Sequence, residues 1–139
     1  MLPSPAMTDR RTAACSCGAL QLVATGEPVR VGVCHCLACQ RRSGSAFAYQ
    51  ARFAREAVRT SGEPHEYVRI SDEGEPRSFF FCRDCGVTLW YVCQSEPDLV
   101  AVPVGTFADP KFPWPKGSSW EERRHAWVTI PGDDVRHIH

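Results

Sequence analysis

The sequence has no apolar run approaching the roughly 20 residues that cross a bilayer, no surplus of either charge, no internal repeat and no helix-period segment of useful length. Each absence removes a class of function. Sixteen basic residues balance sixteen acidic ones, so the global positive field that attracts a phosphate backbone is missing, and no nucleic-acid partner is expected. No membrane partner is expected either. The opening Met1 to Ala6 lacks the basic and apolar regions of an export signal, which points to the cytoplasm. Residues 1–10 mix Pro, Ser, Thr and charge without a period and read as a disordered tail, leaving one domain over 11–139.

What the chain does have is cysteine. Seven of its eight cysteines fall in three tight groups: Cys15-Ser16-Cys17, Cys34-His35-Cys36-Leu37-Ala38-Cys39 and Cys82-Arg83-Asp84-Cys85. Two sulfurs on one tight turn can reach one metal ion at about 2.3 Å, and a second pair from elsewhere closes the tetrahedron. Cysteines this close in sequence rarely bridge each other, and intracellular thiols are kept reduced, so the spacing points to zinc.

Between the groups run short segments with the period of two that marks half-buried strands. They are Ala19–Ala24, Val29–Val33, Ala46–Phe53, Ala57–Thr60, Glu66–Ile70, Arg77–Phe81, Val87–Val92 and Leu99–Val104, with Gly and Pro breaks between them. The pattern predicts a mainly β fold of short antiparallel sheets. The first two runs should form a hairpin joining the first and second cysteine groups. Cys82 to Gly86 should sit on the turn of another, as a zinc knuckle. Pro103 suggests an edge strand or a bulge, and an aromatic segment from Trp120 to Ile130 should close the domain.

The cysteine arithmetic separates two sites. Cys15, Cys17, Cys82 and Cys85 supply four thiolates from two pairs, each followed by a glycine, Gly18 or Gly86, and four thiolates leave no open position. Such a site carries folding energy. Cys34, Cys36 and Cys39 supply three, which leaves one place for water or substrate, as in a catalytic zinc. Cys93 could close that second site as well, although an isolated cysteine is more often a small buried hydrophobe. On an extended segment His35 points away from its flanking cysteines, which suits packing better than ligation. His65, His125, His137 and His139 show no ligand spacing, and the last two lie near the terminus, where fraying is expected.

The motif Cys15-x-Cys17-Gly18, then Cys34-His35-Cys36-x-x-Cys39-Gln40-Arg41 with Ser43-Gly44-Ser45, then Phe81-Cys82-x-x-Cys85-Gly86 resembles the glutathione-dependent formaldehyde-activating enzyme family, also called GFA or centromere-protein-V-type. Val104 to Pro110 and His125 to Val128 extend the likeness, which fades beyond Val128. Many relatives carry another tryptophan a few residues further on, where this chain reads Thr129-Ile130-Pro131-Gly132-Asp133. The resemblance implies an Mss4-like β-fold with two zinc ions per chain, the first on Cys15, Cys17, Cys82 and Cys85 and the second on Cys34, Cys36 and Cys39. It also implies a carbon–sulfur lyase that adds glutathione, or another small thiol, to formaldehyde or a related carbonyl.

Metal coordination lowers a thiol's pKa far below its free value near 8.5, so a substrate thiol entering the open site would become a nucleophilic thiolate. Gln40, Arg41, Ser43, Gly44 and Ser45 follow the last ligand and are the candidate substrate contacts, with Arg41 and Arg42 equally readable as a solvated surface pair. The rival reading is a zinc-stabilised protein-binding module without catalysis, which a closed second site would favour.

Overall fold

The computed structural model describes residues 10–139, so the tail expectation lies outside the described residues except at Arg10. Arg10 opens a strand, β1 (Arg10–Ala14), which the sequence pattern had not separated from the tail. It pairs antiparallel with β2 (Gln21–Thr25), and β2 pairs with β5 (Val58–Ser61), giving a three-stranded sheet in the order β1-β2-β5. The remaining strands are β3 (Arg30–Cys34), β4 (Ala48–Ala54), β6 (His65–Ile70), β7 (Pro76–Phe81), β8 (Thr88–Cys93), β9 (Leu99–Pro103), β10 (Gly117–Ser119) and β11 (Arg136–His137). They form one eight-stranded sheet in the order β11-β10-β3-β4-β9-β8-β7-β6. The mainly β expectation holds. No helix among the described residues is long and apolar enough to cross a membrane.

Three expectations need correction. The runs flanking Gly26 do not form a hairpin, because β2 and β3 belong to different sheets and the turn between them carries the chain from one layer to the other. Pro103 ends a strand that lies between β4 and β8, not at an edge; as the last residue of β9 it faces Gln50, where the ladder is ending and a missing N–H costs least. The closing element is not the aromatic segment but two short parallel strands. β10 lies beside β3, and β11 lies beside β10, which places His137 in a ladder opposite Ser118 rather than in a frayed end.

Alternation gives the large sheet two unlike faces. Val31, Ala51, Phe53, Val100 and Val102 point one way and pack with Ala13, Leu20, Leu22 and Ala24 of the small sheet into the main core. Phe53 is fully buried there, against Phe107. The intervening residues, Arg30, Gln50, Arg52, Ala101 and Tyr91, point to the other face. Arg30 and Arg52 are directly opposite each other on β3 and β4, a like-charge pairing that is unfavourable by itself. Glu96 offsets it, with its Oε1 accepting a 2.7 Å hydrogen bond from Arg30 and lying 3.8 Å from Arg52 Nε.

The hydrogen bond from Arg30, with the nearby Arg52 charge, holds the Glu96 carboxyl below its ordinary value of 4.5. The unfolded chain therefore takes up this proton first on acidification. The stabilisation is complete above about pH 4.5 and is lost as pH falls through the lower folded value. Glu96→Gln should be less stable than wild type in urea melts at pH 7, and the gap should narrow towards pH 3.

Candidate metal centre

The first cysteine group lies on the turn after β1 and the third on the turn between β7 and β8, and both turns fold alike. Cys15 N–H bonds to Leu20 O and Gly18 N–H to Cys15 O, while Cys82 N–H bonds to Val87 O and Gly86 N–H to Cys82 O. Gly18 and Gly86 both have φ of +81°, a left-handed conformation that disfavours a side chain even though a Cβ would meet open space. The four sulfurs of Cys15, Cys17, Cys82 and Cys85 come within 4.8 Å of one another. Two of the separations are 3.7 Å and 3.6 Å. A tetrahedron with metal–sulfur distances of about 2.3 Å has edges of about 3.8 Å, so the donor set fits a thiophilic ion. Leu20 N–H points at Cys15 Sγ from 3.2 Å and supports the anionic form. The carry-over from one turn to the other joins segments far apart in the chain.

The second group is built differently. Cys34 ends β3, Cys36 caps a short helix, α1 (Leu37–Ser43), and Cys39 is buried in its first turn. The sequence pattern held no helix here because seven residues show no period and the cap is a sulfur instead of the usual Ser, Thr, Asp or Asn. Cys36 Sγ accepts from Cys39 N–H at 3.3 Å, and Gly44 ends the helix with φ of +67°. The three sulfurs also lie within 4.8 Å of one another, and Cys93 is not among them. Hydrogen bonds from the Cys34 and Cys39 thiols pull Cys36 down to about 2, and the same sharing pushes Cys34 and Cys39 up. Three thiols this close cannot all ionise unless a cation joins them.

His35 is fully buried, and its Nε2 meets Ser118 Oγ at 2.8 Å. Ser118 Oγ donates onward to Glu121 Oε2, which makes Nε2 of His35 the protonated nitrogen, and Glu121 in turn contacts His137. Burial holds His35 below its ordinary value, so the ring is a neutral tie between the cysteine loop and β10. Gln40 is a second tie. Its Nε2 donates to His35 O and Arg123 O, and its Oε1 meets His125 Nε2 at 2.9 Å. His125 thus joins the site's surroundings from a position that ligand spacing could not single out.

Among the expected substrate contacts, Ser43, Gly44 and Ser45 form the exposed helix end, where Ser43 Oγ accepts from Ser45 N–H. They line neither cavity that borders the three sulfurs. Arg41 lies on an outer groove of about 690 Å³ with Tyr67, Phe79 and Phe81. Arg42 is not a solvated partner of Arg41, since its guanidinium lies over the Tyr91 and Phe79 rings at 5.0 and 5.3 Å. The cavities that do border the sulfurs bring in residues without a motif. One, of about 130 Å³, sets Cys36 beside Arg69, Arg77, Trp120 and Arg123. The other, of about 240 Å³, sets Cys34 and Cys39 beside Gln50, Arg52, Arg77 and Tyr91.

The model of the family described as glutathione-dependent formaldehyde-activating enzyme matches residues 10–129, most of the chain and all three cysteine groups. The chain belongs to that family. No curated protein matches it. Among solved structures it is similar to a Rhodobacter sphaeroides protein at 22% identity, with a TM-score of 0.54 over 68% of this chain and 85% of that one, a likeness of fold. For a GFA-family chain the two clusters are thus places that can each hold a metal ion, one enclosed by four sulfurs and one by three.

The two clusters should differ when broken. Cys82→Ser, which unties two distant turns, should lower the melting temperature by about 10 °C or more. Cys36→Ser should melt within a few degrees of wild type, by roughly 1 kcal/mol or less. Calorimetry on both variants, with metal content measured alongside, checks the difference.

Proposed function

We propose that this chain is a zinc-dependent carbon–sulfur lyase-type enzyme that joins a small thiol, glutathione or a relative, to a carbonyl compound and reverses that step. The observation that carries the reading is the three-sulfur cluster, bordered by two cavities, with no fourth protein ligand beside it among the described residues. Cys15, Cys17, Cys82 and Cys85 hold a structural zinc, and Cys34, Cys36 and Cys39 hold the catalytic one within a single domain over 11–139. Zinc bound by three thiolates supplies Lewis acidity that keeps an incoming thiol ionised at neutral pH.

The chain's own residues do the rest. Cys34, Cys36 and Cys39 present one open side, and the ties from His35 to Ser118 and from Gln40 to Arg123 keep the cysteine loop in place. Arg69, Arg77 and Arg123 line the cavity beside Cys36 together with Asp72 and Glu73, and the guanidinium groups can hold the carboxylates of a glutathione-like thiol while the acids face its amino group. Arg41 stands further out, on the groove it shares with Arg69 and Asp72, whereas Gln40, Ser43, Gly44 and Ser45 serve the loop's shape. All eight cysteines are free, which suits a reducing compartment such as the cytoplasm.

Elemental analysis of purified protein should return two zinc ions per chain, with lower occupancy at the three-sulfur cluster. In the cobalt-substituted protein, glutathione should intensify the sulfur-to-metal charge-transfer bands as a fourth sulfur enters. A metal-loaded cluster that responds to no thiol would rule out the lyase reading.

A further inference from the structure

The cavity on the strand side of the cysteine triad, bounded by Cys34, Cys39, Gln50, Arg52, Arg77 and Tyr91, is larger and more polar than formaldehyde requires. At about 240 Å³ it is an order of magnitude above the roughly 10–15 Å³ that admits one water. Gln50 is 5% exposed and its Oε1 is buried without a partner. Arg77 Nε is also buried without a partner, because Glu75 Oε1 stands 3.9 Å away, beyond hydrogen-bond reach. Unpaired buried polar groups are costly, and two residues of one cavity wall that carry them mark a place where a polar ligand completes the bonding.

Charge gives the sign of that ligand. Arg30, Arg52 and Arg77 line the cavity, and Arg42 and Arg52 lie against the Tyr91 ring at 5.0 and 5.9 Å. Their acidic neighbours are Glu96, shared by Arg30 and Arg52, and Glu75 beside Arg77. Three guanidinium groups line the cavity and neither carboxylate does, so the charged side chains of its wall are all positive. A planar anion can accept from Arg77 and from the Tyr91 hydroxyl while Gln50 offers both a donor and an acceptor.

We propose that this cavity is a carboxylate subsite, and that the electrophile joined to the thiol is an oxo acid, a carbonyl compound bearing its own carboxylate, in place of bare formaldehyde. The inference rests on the lyase reading above. The thiol sulfur attacks the carbonyl carbon, a C–S bond forms as the C=O π pair moves onto oxygen, and the proton released by the thiol ends on that oxygen. The product is an α-hydroxy acid carrying the thioether, a molecule with one hydroxyl donor for Gln50 and one carboxylate for Arg77. Neither oxidant nor reductant takes part.

The direct test is binding of pyruvate, followed through the fluorescence of Trp120 at the cavity wall and by calorimetry, in the zinc-loaded protein. Wild type should bind it, and Arg77→Gln and Tyr91→Phe should each weaken binding, Arg77→Gln by roughly 10- to 100-fold. Tyr91→Phe keeps the ring and its packing, so it decides the matter if Arg77→Gln does not fold. In the reaction with glutathione, Tyr91→Phe should lose kcat/KM for glyoxylate and keep it for methylglyoxal, a neutral aldehyde of similar size. Pyruvate that fails to bind, or that binds both variants as it binds wild type, overturns the subsite. A normal thiol response in the cobalt protein would then leave the lyase reading intact, whereas pyruvate binding without any thiol response would retain the carboxylate site and remove its catalytic role.

Discussion

Four cysteine sulfurs from turns some 65 residues apart converge on one point, and the rest of the architecture is arranged around that junction. The turn after β1 belongs to the small sheet and the turn between β7 and β8 to the large one, so the cluster clasps the two layers at one end. The core between them is modest, built largely from alanine, valine and leucine with Phe53, Phe107 and Phe112 as its bulk. A metal ion held by those four sulfurs would supply the folding energy that such loop-rich chains otherwise lack.

The large sheet then works as a partition. Its core face is apolar, and its other face carries Arg30, Arg52, Gln50 and Tyr91 beneath the cysteine loop and α1. Because side chains alternate, the same strands that close the core also build the cavity floor, with no separate element needed. The open cluster sits where β3 ends and α1 begins, so its sulfurs are fixed by a strand, a cap and a helix turn. Helix α1 is in turn tied to the segment around Arg123 and His125 through Gln40. The cysteine loop therefore depends on residues more than 80 positions away for its shape.

The likeness to the GFA family covers both cysteine clusters but gives no reason for the arginines around the second one. A net charge of zero conceals them, since their compensating acids are spread along the chain.

Much of this was legible in the linear chain. Strand positions, the division of seven cysteines into four and three, and the knuckle turns all follow from short-range rules: a period of two, ligand pairs on tight turns, and glycines at positive φ. Their physical basis is local, so sequence suffices. The helix at Leu37–Ser43 was not legible, being held by a sulfur cap and by Gln40's distant partners instead of by its own period. The transfer of β2 and β3 to different sheets, the interior place of Pro103 and the parallel strands at Gly117 and Arg136 were decided by pairing between distant segments. So was the cavity wall. Gln50, Arg52, Arg77 and Tyr91 carry no motif and come from three strands, and only the register of those strands sets them beside Cys34 and Cys39.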